Sequence, residues 1–298
     1  MMQFPTVGII GRPGSQRIEA SLRWLVSFLR ERGHQVVLES GVATLLQDDS
    51  SGTVEGVACA PLDTLGQHCD VAIVLGGDGS LLGAGRALCA SHTPIIGVNG
   101  GRVGFLTDIP ADEMEPRLTE ILNGHYDREQ RLLLDSRIER NGKEVSYGLA
   151  LNDVVVHAGQ VARLIEFDLY IDDQFVYRQR SDGLIIATPT GSTAYGLSAG
   201  GPILHPGLDV LALVPMCPHT LSSRPLVVSA ASRIRLDICA NIEQHPSIAC
   251  DGQSVRTAQV GDSLHITRNP SYLELLHPKG HSFYESCRSK LGWTQHGR

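Results

Sequence analysis

A chain of 298 residues, 42% hydrophobic and 19% charged, carries enough apolar material for one large packed domain or two ordinary ones, which excludes a wholly disordered polymer. Lys and Arg total 25 against 32 Asp and Glu, a net charge of −7, which excludes a general nucleic-acid binder because such a protein needs a basic face to release counterions. The longest apolar runs, Val71 to Leu75 and Val210 to Val214, fall far short of the roughly 20 residues that cross a bilayer, and the start, Met1-Met-Gln-Phe-Pro5, lacks the basic and apolar regions of a signal peptide.

Thr6 to Ile10 reads as a buried strand, followed by the glycine loop Gly11-Arg-Pro-Gly14. Ser15 can cap a helix whose apolar stripe is Ile18, Leu22, Leu25, Val26 and Leu29, and Gly33 suits its stop. Further strands are expected at 35–39, 71–75 and 94–98, with helices at about 80–91 and 111–123 and a loose loop at 48–56. Strands alternating with helices predict a parallel sheet covered on both faces over residues 1–125. After Gly124 the period changes to two: Ile165, Phe167, Leu169 and Ile171 alternate with polar residues, as do Ile234, Leu236 and Ile238. Asn141-Gly142 is a hairpin signal. Residues 126–270 therefore read as a mostly antiparallel β domain, and the segment 271–298, with a helix between His281 and Trp293, as a return to the first domain.

Two segments carry chemistry. In Val71-Ala-Ile-Val-Leu-Gly-Gly-Asp-Gly-Ser80 a buried strand ends in glycines and opens a helix, the carboxyl edge where open α/β sheets bind ligands. Asp78 would repel a phosphate, so it makes sense as a base that takes a hydroxyl proton, as a metal partner, or as the cap of the helix. The second is Leu184 to Ala187 running into Thr188-Pro-Thr-Gly-Ser-Thr193 and Ala194-Tyr195. Its hydroxyls and backbone N–H groups can hold a phosphate and its aromatic face can stack a base; a Ser/Thr-rich surface turn is the plain alternative. Asn152-Asp153 reads as a turn or as a ribose contact, and Asp251-Gly-Gln253 as a hairpin turn. His277 and His281 are spaced i, i+4, but Pro278 and Gly280 break the helix a zinc pair would use, so no metal site is read there. Lysine occurs only at 143, 279 and 290, so no P-loop lysine serves the N-terminal glycine turns, and no Gly-x-Gly-x-x-Gly follows the first strand.

Taken together, Gly76-Gly-Asp-Gly-Ser80, Asn99-Gly-Gly-Arg-Val-Gly-Phe-Leu-Thr107, Asn152-Asp-Val-Val-Val-His157, Arg180 to Tyr195 and Pro218-His-Thr-Leu-Ser-Ser-Arg-Pro225 closely resemble the NAD kinase family. The resemblance runs from about residue 5 to 290, and the block at 180–202 is its most specific part. It implies an N-terminal α/β domain with a parallel sheet plus a C-terminal, mostly antiparallel β domain. It implies transfer of the γ-phosphoryl of ATP to the 2′-hydroxyl of the adenosine ribose of NAD. A divalent cation (usually Mg2+) and a homodimer or homotetramer are implied as well.

By motif, the resemblance makes Asp78 the proton acceptor, with Gly79 beside the substrate. It gives NAD contacts to Asn152, Asp153, Arg163, Arg180, Asp182, Thr193, Ala194, Tyr195, Gly196, Leu197, Ser198 and Gln253. Ser80 stands where Thr is common, Asp153 where Glu is common, and Ala158 where a basic residue often follows the His. A sugar-phosphate or lipid kinase sharing Gly-Gly-Asp-Gly, or a non-catalytic NAD or NADP sensor, are the competing readings. The seven scattered Cys, with no Cys-x-x-Cys, suit a reducing interior and a cytoplasmic location.

Overall fold

The computed structural model describes residues 2–11, 16–46, 54–101, 104–159, 164–220, 222–239 and 245–293. Residues 12–14 of the loop at 11–14, the cap at Ser15, most of the loop at 48–56, and Arg163 lie outside them. The chain divides into two compact units, Met1–Gln130 with Ser271–Arg298, and Arg131–Pro270.

The first unit runs β1 (Thr6–Gly11), α1 (Gln16–Glu31), β2 (Gln35–Glu39), α2 (Ser40–Leu46), β3 (Ala58–Ala60), α3 (Leu62–Leu65), β4 (Val71–Gly76), α4 (Asp78–Leu88), β5 (Ile95–Asn99), β6 (Ile109–Pro110) and α5 (Met114–Leu122). Its strands pair in parallel in the order β3-β2-β1-β4-β5. Every residue of β4 and β5 is buried, as expected of parallel strands covered on both faces. Leu22, Leu25, Val26 and Leu29 of α1 are buried against this sheet with Val7, Ile9 and Leu38, so the stripe read from spacing is the packed one. Gly33, at φ 84°, ends the turn after α1 in a conformation that costs a glycine little. The order reverses between β1 and β4, the switch point at whose carboxyl end α/β sheets open a crevice.

The second unit holds most of β7 (Tyr126–Arg140), then β8 (Lys143–Ala150), β9 (Asp153–His157), β10 (Ile165–Ile171), β11 (Gln174–Ser181), β12 (Gly183–Ala187), α6 (Tyr195–Ser198), β13 (Val210–Met216), β14 (Leu226–Ser229), β15 (Ile234–Ile238), β16 (Ser247–Cys250), β17 (Ser254–Thr257) and the first half of β18 (Ser263–Pro278). The second half of β18 and α7 (Phe283–Leu291) belong to the first unit. β7 and β8 form the hairpin whose turn residues Asn141 (φ 51°) and Gly142 (φ 74°) are both left-handed, as a primed turn requires.

A six-stranded sheet, β14-β13-β12-β9-β16-β17, is antiparallel throughout, and its inner strands β13, β12, β9 and β16 are mostly buried while the edge strand β14 is mostly exposed. Period two sorts its side chains: Val154, Val156, Leu184, Ile186 and Ile248 enter one core, while Val155, Ile185, Ala187 and Ala249 enter another. Among the described residues no helix is long and apolar enough to cross a membrane.

Candidate active site

In the first unit, β4 and β5 are in register with Gly76 opposite Asn99, so the β4–α4 turn and the segment after β5 leave the sheet side by side. α4 opens at Gly77, an extended cap with no side-chain hydrogen bond, and Asp78 is its first residue. Asp78 therefore does not cap its own helix. Its carboxylate turns to the segment after β5: Oδ2 accepts from the backbone N–H of Phe105 at 2.9 Å, and Oδ1 from those of Leu106 and Thr107, each at 3.1 Å. The Thr107 hydroxyl donates to Oδ1 at 3.1 Å and in turn accepts from the side-chain amide of the buried Asn99 at 2.8 Å. Gly104 is needed for this approach, because a Cβ there would lie 1.9 Å from Asp78 Oδ1. A carboxylate offers about four acceptor positions. Oδ1 is fully used and Oδ2 keeps one. Among the described residues Asp78 is thus an anchored carboxylate with a single open acceptor position, and Gly79 follows it, exposed, in the first turn of α4.

In the second unit a cavity of about 740 Å³ is lined by Asn152, Asp153, Val155, His157, Asp182, Ala194, Tyr195, Met216, Ala249, Asp251 and their neighbours. The strand period explains the lining. Asp153, Val155 and His157 share one face of β9, opposite the core-facing Val154 and Val156. The turn leading into β9 is held from both sides. Asp251 accepts from the backbone N–H groups of Leu151 (3.0 Å), Asn152 (2.7 Å) and Asp153 (3.3 Å), while Thr188 donates through its hydroxyl to Leu151 O at 2.6 Å and through its N–H to Asn152 O at 2.8 Å. Asp153 is only 4% exposed. Burial, and then repulsion from the Asp251 charge, push its carboxyl up to about 7. His157 accepts from Gly159 N–H through Nδ1 at 3.1 Å, so the neutral ring keeps its proton on Nε2 and can donate it; burial lowers its pKa.

The hydroxyl-rich loop is a correction to the sequence reading. Thr188, Ser192 and Thr193 donate to the carbonyls of Leu151, Pro189 and Thr190, and Ser192 Oγ also accepts from Leu204 N–H. Thr188 and Ser192 are buried, so these hydroxyls satisfy backbone carbonyls of the loop and of the Leu151 turn beside it rather than presenting a row of donors. What the loop offers the cavity is Ala194 and the 45%-exposed ring of Tyr195.

Of the residues singled out in this unit, the cavity thus collects Asn152, Asp153, Asp182, Ala194 and Tyr195. Thr193, the buried Gly196, Leu197 and the exposed Ser198 lie beside them on the short 3-10 turn Gly191–Thr193 and on α6, Gln253 sits exposed beside the lining residue Gly252, and Arg180 is exposed on β11. Sequence reasoning missed Asp251 as the anchor of the Asn152 turn, because its Asp-Gly pair signals only the local turn. It also missed Val155, Met216 and Ala249, which carry no motif.

A second correction concerns His277 and His281. Pro278 and Gly280 do exclude a helix, yet the turn after β18 brings the two rings to 4.0 Å, stacked at 12°, with Asp108 between their Nδ1 atoms. Helical spacing was not needed to bring them together.

Two family models match this chain: ATP-NAD kinase N-terminal domain over residues 7–126 and ATP-NAD kinase C-terminal domain over 151–277. The chain is 52% identical over 296 residues to an NAD kinase of Teredinibacter turnerae, covering 99% of each chain, and 51% identical over 294 residues to one of Chromohalobacter salexigens, covering 99% and 98%. Its fold is similar to that of yeast NADH kinase complexed with NADH, with a TM-score of 0.88, 25% identity and coverage of 98% of this chain and 89% of that one. An NAD kinase from Archaeoglobus fulgidus in complex with ATP shares the fold at a TM-score of 0.70 and 23% identity, covering 96% and 97%. An intact α/β unit with its Gly-Gly-Asp-Gly turn, a β unit with its polar-rimmed cavity, and matches to both domains over nearly the whole length leave one conclusion: the chain belongs to the ATP-NAD kinase family of phosphotransferases.

Proposed function

We propose that the chain transfers the γ-phosphoryl of ATP to the 2′-hydroxyl of the adenosine ribose of NAD, with Asp78 as the proton acceptor. The observation that carries this role is the single open acceptor position on Asp78 Oδ2, on a carboxylate otherwise pinned by the 105–107 segment. The ribose O–H donates to that position. As the new P–O bond forms and the bond to ADP breaks, the proton passes to Oδ2. A carboxylate is a weak base for a sugar hydroxyl, so the transfer runs late, with bond formation. The anchored oxygen holds the carboxylate's direction, so the catalytic gain is largely positional. NAD is read into the cavity of the second unit, with Asn152, Asp153 and Asp182 as hydrogen-bonding groups, Tyr195 as the apolar wall of the adenine end, and Arg163, Arg180 and Gln253 as further contacts.

The phosphoryl group needs positive charge, and no lysine occurs in the sequence before Lys143 to serve the glycine turns as a P-loop lysine does. Backbone N–H groups at the start of α4 supply part of it. A magnesium ion, which needs only one or two protein carboxylates besides phosphates and water, would accompany the triphosphate, with Asp78 the carboxylate at the glycine turn. When bound, the ion neutralises charge developing on the phosphates. We read the protein as a cytoplasmic homodimer or homotetramer. The exposed Val145, Tyr147, Phe175 and Val176 on two hairpins of the second unit support self-association.

The test is direct. Purified chain with NAD, ATP and magnesium should yield NADP, read by an NADP-specific dehydrogenase; no NADP would refute the activity, as would a sugar-phosphate or lipid product instead. Asp78→Asn should lower kcat at least about 100-fold while NAD still binds, the lower end for a positioned acid–base group. Near-normal turnover in that variant would remove Asp78 from the role.

A further inference from the structure

We propose that Asp108, His277 and His281 form a binding site for one transition-metal ion of the zinc class, separate from any cation that accompanies ATP. His277 Nδ1 and His281 Nδ1 each lie 2.9 Å from the same atom, Asp108 Oδ2, and one ligand atom from each of the three residues lies within 4.8 Å of the others. Three donors from separate parts of the chain, the segment before β6, the end of β18 and the turn before α7, converge on one point. Tetrahedral zinc with bonds of about 2.0–2.2 Å sets neighbouring ligand atoms about 3.4 Å apart, so binding lengthens the two 2.9 Å contacts and turns the stacked rings until each Nδ1 aims at the ion.

The surroundings match what a metal-bound imidazole uses. With Nδ1 of His277 on the metal, its other nitrogen, Nε2, lies 3.2 Å from Glu129 Oε2 without hydrogen-bond alignment, and a turn of the ring toward the metal would bring it the carboxylate support a ligating histidine takes from behind. His277 is 2% exposed, and Asp108 Oδ1 is buried with no hydrogen-bond partner among the described residues. A buried acceptor without a donor is costly unless a cation comes to it. On the open side, Asp108 and His281 line a cavity of about 330 Å³ with Pro278, Gly280 and Ser282, which leaves room for a water as fourth ligand.

Two imidazoles and one carboxylate favour zinc, cobalt or nickel over magnesium, which prefers oxygen. Asp108 directly follows Thr107, whose N–H and hydroxyl hold Asp78. An ion here clamps the loop that positions Asp78 to the end of β18.

The experiment uses tag-free, full-length protein stripped with a chelator and titrated with Co2+, read by the visible absorption of tetrahedral cobalt, and with Zn2+ by calorimetry in excess Mg2+. Wild type should bind one equivalent more than His281→Ala, and Glu129→Gln should weaken that equivalent about 10- to 100-fold. His281 is at the mouth of the cavity, and circular dichroism checks that the variant folds; Asp108→Asn serves if it does not. Equal stoichiometry in wild type and both variants, or displacement of the cobalt by millimolar Mg2+, would overturn the site and leave the cluster as an ion pair closed by a proton.

Discussion

Asp153 gives the sharpest quantitative test of the second unit. In an unfolded chain its carboxyl titrates at the ordinary value of 3.8, and in the folded chain at about 7. The folded state therefore holds the proton more tightly than the unfolded one. The sign is the reverse of the usual aspartate: stability is full below about pH 4 and is lost as pH rises, until the folded group also ionises near 7. Roughly three units at about 1.4 kcal/mol each come to about 4 kcal/mol, with a slope of about 1.4 kcal/mol per pH unit in between.

Asp153→Asn keeps the shape and removes the titration. Urea unfolding of the ligand-free protein at pH 5, 6 and 7.5 should show the variant gaining on wild type by about 2–3 kcal/mol over that span, most of it below pH 7. Titrating groups that do not interact with Asp153 are common to both proteins and cancel in the difference. An infrared carboxylic-acid band at pH 5 that vanishes in the variant would identify the group itself. A constant offset between the two proteins across the pH range would refute the reasoning, because it would mean that Asp153 is ionised throughout.

Two other predictions follow from the same cavity. A Cβ on Gly191 would lie 2.1 Å from Asn152 O and 2.4 Å from its carbonyl carbon, so Gly191→Ala should push the Asn152 turn aside, cost about 1–3 kcal/mol in urea unfolding and weaken NAD binding measured by calorimetry; unchanged stability would mean that the loop yields freely. Tyr195 is 45% exposed, so Tyr195→Ala should leave the melting temperature within a few degrees while raising the KM for NAD more than it lowers kcat; equal losses in both would point to a folding or closure defect.

Local pattern was enough for the longer elements but gave no sign of the short α2, β3 and α3. The 3.6-residue stripe of α1, the unbroken apolar run of β4 and the period-two alternation of β10 each report which faces are buried, and burial is what makes those elements form. The Asn141-Gly142 turn and the glycine-rich exit from β4 were equally legible, because backbone conformation there depends on the residues themselves. The long motifs carried the family as well. What no local pattern contains is where a polar atom finds its partner. Asp78 meets donors nearly thirty residues away, Asp251 reaches about a hundred residues back to the Asn152 turn, and the hydroxyls of 188–193 turn inward because the carbonyls they satisfy lie under them. Asp108, His277 and His281 converge only because β18 returns to the first unit. A hydrogen bond or a metal ligand is a meeting of atoms in space, and only the packed chain decides which distant residues meet.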